Sequence, residues 1–364
     1  MSCVPTLFDP IQLGAVRAPN RIVMAPLTRA RATREHVPTP LMADYYAQRA
    51  GAGLIISEAT GISRQGLGWP YSPGIWSEAQ VEAWKPVVAA VHAAGGRIHC
   101  QLWHMGRLVH PDFLGGQAPV SASDVRAPDA LHAHTYSGSK PYAQPRPLSL
   151  DEIQAVVADY HRAALNARAA GFDGVQLHAA NGYLVDQFLR DGTNHRSDRY
   201  GGTVENRLRL LLEATQAIIA AVGADRTAVR LSPNDDPQGC GDSDPATLFA
   251  AAATALDGLG LAYLEMRASR PTSTFRAGKY DLAPAMRKRF RAPLILNSDY
   301  RLDDASEALA SGAADAIAYG RPFISNPDLP ERLRRNLALA EPDPQTFYTQ
   351  GREGYSDYPV AAAS

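Results

Sequence analysis

Two short polar clusters hold most of the side chains able to do chemistry in this 364-residue chain. The first is His178-x-x-Asn181-x-Tyr183. Histidine and asparagine can together donate two hydrogen bonds to one acceptor oxygen, while a tyrosine phenol can deliver a proton. On residue types alone, a turn with a satisfied histidine and an asparagine capping the next helix accounts for the same three residues equally well. The second cluster is Asn297-Ser298 with Gly320-Arg321. A glycine that lets the backbone approach closely and a guanidinium fork suit a phosphate; the competing reading is a capping turn with a surface arginine. Gln101 and Arg230, an amide and a guanidinium closing largely apolar runs, suit a planar partner rich in oxygen and nitrogen. Arg230 could equally be an ion-pair partner of Glu58 or Glu265.

Several chemistries find no residues. Lysine occurs only at positions 85, 140, 279 and 288, none at a strand end, so a Schiff-base enzyme lacks its amine. Cys3, Cys100 and Cys240 are odd in number and far apart, which gives neither a disulfide framework nor a C-x-x-C metal or iron–sulfur site and suits a reducing compartment. His132-x-His134 has no nearby third ligand, so no metal site is expected. With 36 basic against 37 acidic residues the chain offers no electrostatic footprint for nucleic acid. It has no apolar run long enough to span a membrane and no signal-like N-terminus, so a cytoplasmic location is expected.

These residues must be positioned by the elements around them. Short β-rich runs lie at 21–25, 54–59, 97–102, 174–178, 228–232, 262–266, 293–297 and 314–319. Helical spacing follows each: 40–50, 78–94, 150–170, 204–222, 245–259, 282–290, 303–311 and 326–339. Strand then helix, eight times, is the order of a parallel sheet closed into a (β/α)8 barrel. An open doubly wound sheet would want a glycine-rich G-x-G-x-x-G after the first strand, where Met24-Ala25-Pro26-Leu27-Thr28 stands instead. The 29 glycines and 27 prolines are spread along the chain, as many short connections require. Residues 104–146 show no period, and such an excursion after strand three should lie over the C-terminal mouth, where barrel enzymes keep their chemistry. Every candidate above falls at that mouth.

The motifs then resemble, nearly end to end, those of the old yellow enzyme family. The resemblance is carried by Asn20-Arg21-Ile22-Val23-Met24-Ala25-Pro26-Leu27-Thr28-Arg29, Tyr45-Tyr46-x-Gln48-Arg49, Gln101-Leu102-Trp103-His104-x-Gly106-Arg107, Gly171 to His178, Asp198 to Arg207, Tyr319-Gly320-Arg321-Pro322 and Gly354 to Pro359. It implies an α/β fold: one (β/α)8 TIM barrel over residues 1–364, with an N-terminal hairpin and a long excursion after strand three. It also implies a tightly bound FMN, reduced by NADPH or NADH in ping-pong kinetics and reoxidised by electron-poor alkenes such as enones, maleimides or nitroalkenes, in a monomer or homodimer. The cofactor phosphate would sit at Ser298, Gly320 and Arg321, with Arg230 at the flavin N1/O2 edge and Gln101 on the pyrimidine ring. Thr28 would donate to flavin O4; Pro26, Leu27 and Ala59 would line the cofactor. His178 and Asn181 would grip the activating oxygen, and Tyr183 would protonate the α-carbon after hydride reaches the β-carbon. Trp69, Trp103 and Tyr355 would shape the substrate pocket. Thr28 stands where another branch carries cysteine, and Asn181 makes the pair His/Asn rather than His/His. Ser298 occupies a position where many members place glycine, and 124–145 matches no common pattern.

Overall fold

In the computed structural model, which describes residues 4–268 and 279–361, the eight expected strands are short and parallel. They are β1 (Ile22–Met24), β2 (Leu54–Ile56), β3 (Ile98–Trp103), β4 (Gly174–His178), β5 (Thr227–Leu231), β6 (Tyr263–Arg267), β7 (Leu294–Asn297) and β8 (Ala316–Tyr319). Each pairs with the next, and β8 pairs with β1, so the barrel sheet closes. Runs such as Leu54-Ile55-Ile56 are buried on both faces because helices cover the outside and side chains fill the inside. The helix Leu150–Ala169 shows how one of these covers is made. Ser149 and Glu152 exchange side-chain and backbone hydrogen bonds in a capping box, and Ile153, Val156, Tyr160, Ala163 and Ala167 form the buried stripe. Cys3 lies outside the described residues; Cys100 and Cys240 are buried and free.

The hairpin expected at the N-terminus is present, Ile11–Leu13 against Val16–Ala18. It closes the bottom of the barrel: Leu13 and Ala18 pack with Val23, Leu54, Tyr263 and Ile295. The turn needs Gly14, at φ 58°, because a Cβ there would lie 2.0 Å from the Asp225 carbonyl, which accepts a 2.7 Å hydrogen bond from Ala15 N–H. With that end plugged, the C-terminal mouth is the open end of the barrel.

The excursion after β3 holds a second hairpin, His132–Thr135 against Gly138–Pro141, and a short parallel pairing of Val120–Ser121 with Arg146–Pro147. It does reach the mouth, for His134 packs on Trp69 with ring centroids 4.6 Å apart. The helices depart from expectation mainly near the C-terminus. The helix expected over 326–339 shortens to Leu329–Arg334, and a separate short helix, Arg321–Ser325, precedes it. Asn326 precedes Pro327, a position that disfavours helical backbone, so the first helix ends before it and the two stay separate. The expected 204–222 helix is divided at Leu208 into Val204–Arg207 and Arg209–Val222, and 282–290 shortens to Ala283–Arg287.

Candidate active site

The strand ends open into a cavity of about 510 Å³. Its wall includes Pro26, Leu27 and Thr28 after β1, Asn181 and Tyr183 after β4, Arg230 on β5, Ser298 after β7, and Gly320 and Arg321 after β8, with Trp69 from the β2 side. The structure therefore brings ten of the sequence-predicted residues to one hollow. His178 lies just behind the wall, and Ala59 and Trp103 belong to the apolar cluster beneath Tyr183.

The turn after β4 settles which reading of His178-x-x-Asn181-x-Tyr183 the backbone favours. Asn181 (φ 59°) and Gly182 (φ 77°) are both left-handed, and Asn181 N–H donates to Ser232 Oγ at 2.7 Å. The residue before the short helix Leu184–Leu189 is Tyr183, so Asn181 does not cap it. Instead Asn181 Oδ1 accepts from Arg267 Nη1 at 3.4 Å, which leaves its amide NH2 as the group turned to other partners. His178 Nδ1 accepts from Ala180 N–H at 3.4 Å, so the ring proton belongs on Nε2. Burial, with the Arg230 charge nearby, holds the imidazole well below its usual titration range, and the ring is neutral. Each of the two residues thus offers a neutral N–H donor.

Tyr183 completes this corner. Its ring packs edge-on against His178 (centroids 4.9 Å apart, 82°) and against Trp103 (5.0 Å, 87°). Burial first, then the neighbouring Tyr142 and Tyr348 phenols, raise its titration point well above that of a free phenol, so the hydroxyl keeps its proton. A fixed neutral pair of donors beside a protonated phenol can polarise an oxygen and supply a proton to a neighbouring atom.

The cavity wall is also cationic. Arg29, Arg230, Arg267 and Arg321 line it, with Asp299 as the acid. Arg321 Nη2 donates to Asp299 Oδ1 at 2.6 Å, so the expected phosphate corner carries an ion pair. Ser298 adopts φ 129°, a conformation natural to glycine and costly for serine. Asn297 is committed to the fold, its Nδ2 donating to the Ala318 carbonyl at 2.9 Å.

Gln101 and Tyr355 sit away from the cavity wall, and Arg230 on it is also ion-paired. Gln101 does not line the cavity; its Nε2 donates to Gln176 Oε1 at 2.7 Å within the barrel. Arg230 is paired with Glu265, not Glu58, at 3.2 Å. Tyr355 is fully buried behind the wall, stacked on Tyr45 with centroids 4.0 Å apart. The C-terminal aromatics on the cavity are Phe347 and Tyr348, the latter 5.3 Å from Trp69. Two buried arginines fix that segment: Arg29 donates to the Phe347 and Gly354 carbonyls, and Arg31 to those of Thr346, Phe347 and Glu353. The adjacent Phe347-Tyr348 pair was the available signal, but it lies far from any strand end. Among the described residues no group of His, Cys, Asp and Glu forms a metal site, and no helix is long and apolar enough to cross a membrane.

The flavin mononucleotide implied by the resemblance fits this site. The cavity has the volume of a cofactor pocket, and four arginines against one aspartate match a phosphate dianion and a ring that becomes anionic on reduction. Arg230 Nε is buried without a hydrogen-bond acceptor among the described residues, although Glu265 Oε1 lies 3.2 Å away.

Comparisons with known proteins agree. The family described as NADH:flavin oxidoreductase / NADH oxidase matches residues 6–340. An old yellow enzyme homologue from Zymomonas mobilis is 57% identical and superimposes with a TM-score of 0.96, covering 98% of this chain and 100% of that one. Morphinone reductase is 46% identical with a TM-score of 0.95, covering 99% and 98%; another of its structures contains tetrahydroNAD. The 12-oxophytodienoate reductase 7 of Oryza sativa subsp. japonica is 44% identical over 378 residues, 97% of this chain and 94% of that protein.

Proposed function

The chain belongs to the NADH:flavin oxidoreductase / NADH oxidase family, the old yellow enzymes, and from that membership we propose that it is an FMN-dependent reductase of activated alkenes, with Tyr183 as proton donor. Enones, maleimides and nitroalkenes are the substrate class, because each carries an oxygen conjugated to the C=C bond. The observation that carries the reading is the neutral His178–Asn181 donor pair beside the protonated Tyr183.

When bound, FMN supplies the hydride, having taken it from NADH or NADPH. The protein's part follows from its own side chains. His178 Nε2–H and Asn181 Nδ2–H donate to the activating oxygen and stabilise the negative charge that develops on it. Their neutrality keeps the oxygen from being protonated prematurely. Tyr183 then gives its proton to the α-carbon, and its raised titration point ensures that the proton is present at physiological pH. Trp69, Tyr348 and Phe347 form the aromatic wall on the substrate side. Thr28 is assigned to flavin O4, Arg230 to the N1/O2 edge, and Ser298 with Gly320 and Arg321 to the phosphate. Gln101, held by Gln176, would reach the pyrimidine ring through its remaining carbonyl.

Anaerobic reduction of the FMN-loaded enzyme by NADH and by NADPH, followed by mixing with cyclohexenone, N-methylmaleimide and a nitroalkene, tests this. Rapid return of the oxidised flavin spectrum with formation of the saturated product is expected. A reduced enzyme reoxidised by none of the three contradicts it.

A further inference from the structure

The inside of a parallel barrel is normally filled by bulky branched side chains. Directly below this cavity it carries a linked run of polar ones instead. Gln101 and Gln176 are register partners across β3 and β4, and Gln101 Nε2 donates to Gln176 Oε1 at 2.7 Å. Gln176 Nε2 donates in turn to Glu265 Oε2 at 2.8 Å. Glu265 is the register partner of Arg230 across β6 and β5, and its Oε1 lies 3.2 Å from Arg230 Nε. Gln101, Gln176 and Glu265 are all buried.

A buried carboxylate is expensive, and an apolar residue of the same volume would serve the packing at least as well. What the carboxylate adds is a fixed negative charge behind the guanidinium that lines the cavity. The contact is not aligned as a hydrogen bond, since Arg230 Nε and Glu265 Oε1 each have no hydrogen-bond partner among the described residues. It acts through charge. The other carboxylate oxygen anchors the amide run that ends on Gln101. One residue therefore governs both side chains assigned to the pyrimidine end of the flavin.

We propose that Glu265 is a positioning residue that sets the redox potential of the bound FMN. Acting through Arg230, it offsets part of the guanidinium charge and holds the potential below the value Arg230 alone would give, which makes the reduced enzyme a stronger hydride donor. This rests on the assignment of Arg230 to the flavin N1/O2 edge.

The test is the midpoint potential of the FMN-loaded enzyme, measured by anaerobic dye equilibration. Glu265→Gln keeps the size and the acceptor for Gln176 while removing the charge. Its potential should move positive, with reduced FMN held about tenfold more tightly relative to oxidised FMN, equivalent to about 30 mV for a two-electron couple. Glu265→Asp retains the charge but withdraws it from Arg230, and should shift in the same direction by less than half as much. No shift, or a negative one, in Glu265→Gln overturns the proposal. If that variant fails to load FMN, Glu265→Asp decides alone by the same sign. Arg230→Leu separates the premise from the proposal. A negative shift there with no shift in Glu265→Gln defeats the role of Glu265 only, whereas an unmoved potential in Arg230→Leu defeats the Arg230 assignment and this proposal with it.

Discussion

Replacing His178 and Asn181 together by alanine removes both N–H donors of the proposed oxygen site while sparing Tyr183 and the arginines. The structure fixes what is lost. His178 Nδ1 is occupied by Ala180 N–H and Asn181 Oδ1 by Arg267, so each residue has one donor group to offer a ligand. A hydrogen bond to a charged acceptor such as a phenolate contributes roughly 1.5–3 kcal/mol. Two such bonds to one oxygen are not additive, and the low end of their sum, about 3 kcal/mol, corresponds to a loss of about a hundredfold in affinity. The assay is calorimetric titration of the FMN-loaded protein with para-nitrophenol at pH 8, where the ligand is ionised. Each single variant should lose about tenfold. Because burial keeps His178 neutral, lowering the pH should change affinity only through the ligand's own protonation. A double variant that binds within threefold of the parent would refute the reasoning, as would tighter binding on acidification of the kind an imidazolium produces.

Three further outcomes follow from particular residues. Ser298→Gly relieves a φ of 129° that costs a serine about 1–3 kcal/mol, partly offset by glycine's greater unfolded-state freedom; thermal unfolding should rise by roughly 1–2 °C, and a lowered Tm would show the loop is unstrained. Burial pushes the Glu58 carboxyl from its ordinary 4.5 up to about 7, so the stability it lends is full below 4.5 and is lost as pH rises through 7. At about 1.4 kcal/mol per pH unit that gap comes to about 3 kcal/mol. Glu58→Gln should therefore gain on the parent in Tm between pH 5 and pH 8, and a pH-independent difference would contradict the assignment. Tyr348→Ala opens the aromatic wall against Trp69 and should raise KM for cyclohexenone by about tenfold, the worth of roughly 1.4 kcal/mol of lost apolar contact, with kcat changed little; an unchanged KM would place the substrate elsewhere.

The barrel was legible in the sequence because its strands are buried on both faces and read as unbroken apolar runs, with residues of special chemistry confined to their C-terminal ends. The same logic located His178, Asn181, Tyr183, Arg230 and Ser298. Two kinds of information were missing. One is register. Gln101 with Gln176 and Arg230 with Glu265 are partners across adjacent strands, a relation that one strand's sequence does not contain, and Glu265 was visible only as one of two possible partners for Arg230. The other is the path of an irregular segment. Tyr355, which the resemblance assigns to the substrate pocket, and Tyr348, which lines the cavity, lie in one stretch without period. Its course is set by hydrogen bonds from Arg29 and Arg31 to backbone carbonyls, and carbonyls leave no trace in residue types. The late start of the C-terminal helix, by contrast, was readable from Pro327 and Pro330.

The measurement closest to the central claim is the split of Tyr183→Phe between the two half-reactions, followed by anaerobic stopped flow. Phenylalanine keeps the ring that packs on His178 and Trp103 and deletes only the hydroxyl that carries the proton. Flavin reduction by NADH or NADPH should stay within about twofold of the parent, while reoxidation by cyclohexenone should slow by about 10²–10⁴, the usual contribution of a general acid. Equal losses in both half-reactions, or an undiminished reoxidation rate, would contradict the account.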